Sequence, residues 1–225
     1  IGSCTVPNRI VRTAHSTGTT GEDLIAYHEE RARGGIGLTI IEIAGVQPNS
    51  ATAITVFTDA VLPFYEELTR RMHVHGTKVF QQLWHGGAAY ARAGQPVSAS
   101  AVPAPSVNMV PRPMTQTMID ETVAAFAAAA ARCRDGGLHG VELHGAHGYL
   151  IGQFLSPATN LRDDRYGGTL ENRTRFLVEI LDAIRDEVGP GFPVGVRLSG
   201  TDFIQGGIDQ AEAAACRRRM RLAGR

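Results

Sequence analysis

Net charge is the first thing this sequence lacks. Its 22 lysines and arginines are matched by 22 aspartates and glutamates, so it carries none of the basic excess typical of general nucleic-acid or anionic-membrane binders. Cysteine is scarce. Cys4, Cys133 and Cys216 are far apart and odd in number, which argues against a disulfide framework or a CxxC metal site and for a reducing, cytoplasmic setting. Long apolar runs are also missing: Val123–Ala131 is among the longest and is too short to span a bilayer. No signal-peptide pattern opens the chain. There is no GxxxxGK[ST], and no GxGxxG follows a strand, so the usual nucleotide phosphate loops are absent.

What remains is a core-forming chain. Its 225 residues are 43% hydrophobic and 20% charged, enough apolar material for one large domain or two small ones and too much for a disordered chain. It begins at Ile1 without methionine and stops in an arginine-rich stretch, the pattern expected of a fragment.

Short β-type runs alternate with helical patterns, the signature of βα units on a parallel sheet. Strands are expected at Arg9–Ala14, Leu38–Ala44, Lys78–Leu83, Gly140–Leu143 and Pro193–Leu198. Helices are expected over Glu22–Arg33, Pro63–His75, from Thr117 to Gly136, around Phe176–Ile184 and over Gln210–Leu222. The third of these is the clearest. Ile119, Val123, Phe126, Ala130 and Cys133 share one face, and Thr117 with Asp120 resembles a capping box. Between Trp84 and Gln116 lies a proline-rich stretch with little periodicity, long enough to be functional. Five such units fit a small doubly wound sheet or the first part of an eight-unit barrel, which takes about 250 residues. The elaborations after strands three and four lie on the side where barrel loops carry function, so the barrel is favoured. The expected fold class is α/β, a TIM (β/α)8-type barrel truncated after about five βα units.

The densest cluster of chemistry is His144, His147 and Tyr149. His144 stands at the C-terminal tip of the fourth strand, with the others on the following loop or first helical turn. Three polar rings within six residues supply two hydrogen-bond donors and a proton donor, although strand-end capping is the bland alternative. A zinc site is weaker, since this His-x-x-His lacks the helical spacing and glutamate of HExxH. Ala14–Gly18 is a loose GxSxG variant, but the His85-Gly-Gly element follows it instead of preceding it, which disfavours a serine hydrolase. Arg217, Arg218, Arg219 and Arg221 read as a solvated helix face.

Several segments taken together carry a resemblance: Pro7–Val11, Gln82–His85, the Pro111–Met114 turn, Val196–Ser199 and above all the run from Val141 to Phe176. They resemble the old yellow enzyme family of flavin-dependent barrels (NADH:flavin oxidoreductases), including its dienoyl-CoA-reductase-like branch. The resemblance implies that residues 1–225 are the N-terminal part of an FMN-binding barrel domain. It places Thr13, Ala14, His15, Ser16 and Ile43 at the flavin edge. Gln82 falls on the flavin pyrimidine, and Arg197 falls where charge accumulates on reduction. It further implies that His144 and His147 hold a substrate carbonyl and that Tyr149 protonates the α-carbon.

The implied activity is an ene-reductase with NAD(P)H as reductant and an enone, enal or enoyl thioester as small-molecule substrate. No nucleic acid, membrane or metal is implied at the site, and a homo-oligomer is compatible. An amine demethylase or dehydrogenase of the same superfamily is the alternative, followed by an inactive remnant. An iron–sulfur cluster and FAD enter only if further domains follow Arg225.

Overall fold

Parallel pairing dominates the chain. The computed structural model describes residues 1–223, with side chains described to Met220. The elements are β1 (Val11–Arg12), α1 (Gly21–Arg33), β2 (Leu38–Gly45), β3 (Ile54–Thr55), α2 (Leu62–Val74), β4 (Lys78–Trp84), β5 (Val97–Ser98), β6 (Arg112–Pro113), α3 (Gln116–Asp135), β7 (Gly140–Gly145), α4 (Leu150–Leu155), α5 (Leu170–Val188), β8 (Val194–Leu198) and α6 (Gln210–Ala223). The main sheet runs β1-β2-β4-β7-β8 with β3 beside β2, and every pairing is parallel. Strand order therefore follows chain order, as in a singly wound barrel and unlike a doubly wound sheet, whose order reverses at a switch point.

The two faces of the sheet confirm the winding. Ile41, Val79, Leu83, Val141 and Leu143 point outward into one large core with Leu68, Met72, Phe126, Phe176 and Ile180 of the helices. Polar contacts stitch the same layer: His28 of α1 meets Thr39 of β2, and Tyr65 of α2 donates to Gln81 of β4. On the opposite face Leu38, Ile40 and Phe80 form a separate small cluster with Cys4, Val6 and Ala14. Side chains alternate along a strand, so the inward series continues upward from Phe80 to Gln82 and Trp84. On β7 it continues from Gly140 to Glu142 and His144. The fold is thus the expected one: α/β, a curled parallel sheet forming part of a TIM-type barrel.

Local readings needed adjustment. The first strand is only Val11–Arg12. Helix α3 starts earlier than expected: Thr115, not Thr117, is its N-cap and accepts from the Met118 N–H, while Asp120 accepts from Gln116. Ser and Thr cap wherever the chain leaves extended geometry, and Thr115 has that geometry (φ −74°, ψ 167°). The Trp84–Gln116 stretch holds the two-stranded β5–β6 ladder, and the six-residue α4 was not among the expected helices. Arg217, Arg218 and Arg219 are exposed on α6, as expected; the side chain of Arg221 lies outside the described residues. No helix among the described residues is long and apolar enough to cross a membrane.

Candidate active site

The C-terminal ends of β4, β7 and β8 carry the site. His144 and Arg197 are register partners on β7 and β8, one step above the pair Glu142 and Gly195. After β7 the backbone enters the left-handed region at His147 (φ 59°) and again at Gly148 (φ 71°). A histidine held there costs on the order of 1 kcal/mol. The turn it makes sets Tyr149 at the N-cap of α4 and brings its ring against His144, with centroids 4.9 Å apart. His147 stacks edge-on against His144 at the same separation. Trp84, at the end of β4, packs edge-on against Tyr149 at 5.2 Å.

Hydrogen bonds order the two imidazoles. The Ala146 N–H donates to His144 Nδ1 at 3.3 Å, so in the neutral ring the proton sits on Nε2. That Nε2 lies 3.3 Å from His147 Nδ1 and donates to it, which leaves the proton of His147 on its own Nε2, turned outward. Burial, then the charges of His147 and Arg197, lower the pKa of His144 to about 4, so the ring is neutral near neutral pH. Burial and Arg197 lower that of His147 as well. The pair is a neutral relay of donors with one exposed end.

Other expected residues are brought in unevenly. Ser16, Ile43 and Tyr149 line a cavity of about 650 Å³ together with Trp84 and Tyr90. His147 and Arg197 line a second one of about 770 Å³, walled by Val102, Pro103 and Phe203. Thr13, Ala14 and His15 line neither. His15 is occupied by the Thr13 carbonyl and Arg12, and Ala14 packs into the inward cluster. Gln82 is buried, and its Nε2 donates to Glu142 at 2.6 Å. Arg197 is half-buried and its guanidinium makes no hydrogen bond among the described residues.

One organising residue escaped sequence reasoning. Gln153 accepts from the Ala88 N–H and the Ser98 hydroxyl and donates to the Gly148 carbonyl, so it ties the loop after β4 to the loop after β7. A Cβ on Gly87 would lie 2.1 Å from its Oε1, so the glycine makes room for it. The available signal was a lone amide within the apolar stretch Leu150–Leu155.

Comparison with known proteins agrees with this fold. Residues 1–222 match the family described as NADH:flavin oxidoreductase / NADH oxidase. An NADH oxidase of Thermoanaerobacter brockii is 38% identical over 100% of this chain, which spans 37% of that protein's length. A structure of 2-naphthoyl-CoA reductase with 2-naphthoyl-CoA superposes with a TM-score of 0.91 at 31% identity, over 99% of this chain and 38% of that one. The old yellow enzyme homologue of Zymomonas mobilis gives 0.85 at 29% identity, over 99% of this chain and 69% of that one. With the parallel winding and the ring cluster at the end of β7, the match along nearly the whole chain makes it a member of the NADH:flavin oxidoreductase / NADH oxidase family.

Proposed function

We propose that this chain carries the catalytic face of an FMN-dependent NAD(P)H oxidoreductase that reduces the C=C bond of α,β-unsaturated carbonyl compounds. The observation that carries the reading is the neutral His144–His147 relay beside the Tyr149 phenol at the barrel rim. The donor set also fits a flavin. Arg197 offers a guanidinium with no hydrogen-bond partner among the described residues, and Gln82 has a carbonyl oxygen left over after its amine is bound to Glu142. A donor on β8 and an acceptor on β4, with β7 between them, supply the two kinds of group that the alternating edge of an isoalloxazine needs. Arg197 and Gln82 would hold that edge, with Ser16 and Ile43 beside it. When bound, FMN supplies the hydride that NAD(P)H replenishes.

The chain's own residues do the rest. His147 presents its Nε2–H to the substrate carbonyl oxygen and stabilises the negative charge that grows there. A neutral donor serves this better than an imidazolium that would give the proton away. His144 fixes the tautomer of His147 from behind. Tyr149 makes no hydrogen bond through its hydroxyl among the described residues and gives its proton to the α-carbon as a general acid. The rings of Trp84 and His144 hold the phenol in place.

The test is spectroscopic. Protein reconstituted with FMN should show a visible flavin band that NADPH bleaches and 2-cyclohexenone restores. In Tyr149→Phe the restoring step should slow by about 10²-fold while bleaching by NADPH stays within twofold. Equal loss of both steps would remove Tyr149 as proton donor. Bleaching by a tertiary amine with no response to the enone would favour the amine dehydrogenase, and protein that takes up no FMN would overturn the reading.

A further inference from the structure

Gln82 and Glu142 are sixty residues apart, yet they are direct register partners on β4 and β7. Both face the inside of the barrel, one step below the ring cluster. Gln82 is 1% exposed. Its Nε2 donates to Glu142 Oε1 at 2.6 Å, a short, charge-assisted contact. A primary amide has a donor end and an acceptor end of nearly equal size, so packing alone does not choose between its two orientations. An ionised carboxylate does choose, because it only accepts. The amine is drawn to Glu142 and Oε1 is left without a partner among the described residues.

Burial pushes the pKa of Glu142 up, and the hydrogen bond from Gln82, then the charge of Arg197 on the neighbouring strand β8, work against that and favour the ionised carboxylate. Once the carboxylate is replaced by an amide, either orientation of Gln82 is satisfied.

We propose that Glu142 is a positioning residue that locks the Gln82 amide with its oxygen as acceptor, so that the site selects a heterocycle presenting an imide N–H. This rests on the flavin reading above, in which the imide is the unsubstituted N3–H of the isoalloxazine. A ligand lacking that hydrogen leaves a buried acceptor unpaired and is rejected. With a glutamine or shorter amide at 142, the Gln82 amide turns and the preference fades.

Lumiflavin and 3-methyllumiflavin, which share the ring system and carry no phosphate, are the probes. Fluorescence-quenching titrations of the wild-type chain should give an affinity about tenfold weaker for the N3-methylated ring. In Glu142→Gln the ratio should fall below about threefold, with the wild-type far-UV spectrum retained. Glu142→Asn, which lacks the reach to Gln82, should lose the preference in the same way and serves if the first variant folds poorly. An unchanged ratio in both variants would overturn the role of Glu142 and leave the flavin reading intact. Failure of the wild-type chain to quench lumiflavin at all would overturn the flavin reading, and this proposal with it.

Discussion

At the scale of single residues, the site depends on which nitrogen carries each proton. The Ala146 N–H fills His144 Nδ1, and that one backbone contact determines the donor direction through both rings. The resemblance had implied that both histidines grip a carbonyl. His144 is 4% exposed and its Nε2 lies against His147 Nδ1, so in the proposed reading the donor offered to the carbonyl is His147. Arg197 acts on both rings through its field. Replacing it by glutamine should raise the titration midpoint of His147, read by NMR of the imidazole protons, because a nearby positive charge has been removed. A midpoint that does not move would show that burial alone lowers it. Glu142 makes the same point for Gln82: an amide's chemistry depends on a neighbour that no local pattern reveals.

At the scale of elements, the caps show how close a sequence reading comes and where it slips. Helix α3 was legible from its apolar face, because the 3.6-residue period is written into the chain. Its start was misplaced by two residues because Thr115 and Thr117 are both chemically able to cap. The choice falls to backbone geometry: Thr115 is extended and accepts from Met118, whereas Thr117 already lies inside the helix. Thr115→Ala should therefore cost about 1 kcal/mol and Thr117→Ala little, measured by urea unfolding of each variant; the reverse ranking would move the cap. The short α4 was missed for a different reason. Six residues are too few for a period to declare itself, and this helix is held by tertiary bonds, among them Leu150 N–H to the His85 carbonyl and the Gln153 contacts between the two loops.

At the scale of the whole molecule, stability should depend on pH through histidines buried without charge. His28 is fully buried and His85 is 3% exposed. Burial lowers each pKa to about 3, with Arg12 and Arg31 adding to the effect at His28. In the unfolded chain both titrate near 6.5. Below that value the unfolded state binds more protons than the folded one, so stability falls as the pH drops from 6.5 towards 3 and is fully present above 6.5. Each histidine contributes a slope of up to about 1.4 kcal/mol per pH unit in that window. Urea midpoints taken between pH 7 and 5 should decline, and less steeply in His85→Asn; a flat profile would mean that these rings are protonated in the fold. The alternation of the five long strands with the five long helices and the placement of His144 at a strand tip were legible in the sequence, since apolar runs and periodicity are local properties. Which residues share a cavity, which amide end faces the rim and which imidazole is turned outward were decided only by the tertiary structure. Those outcomes depend on register between strands such as β4 and β7, set by packing the intervening helix against the sheet, and no short stretch of chain encodes them.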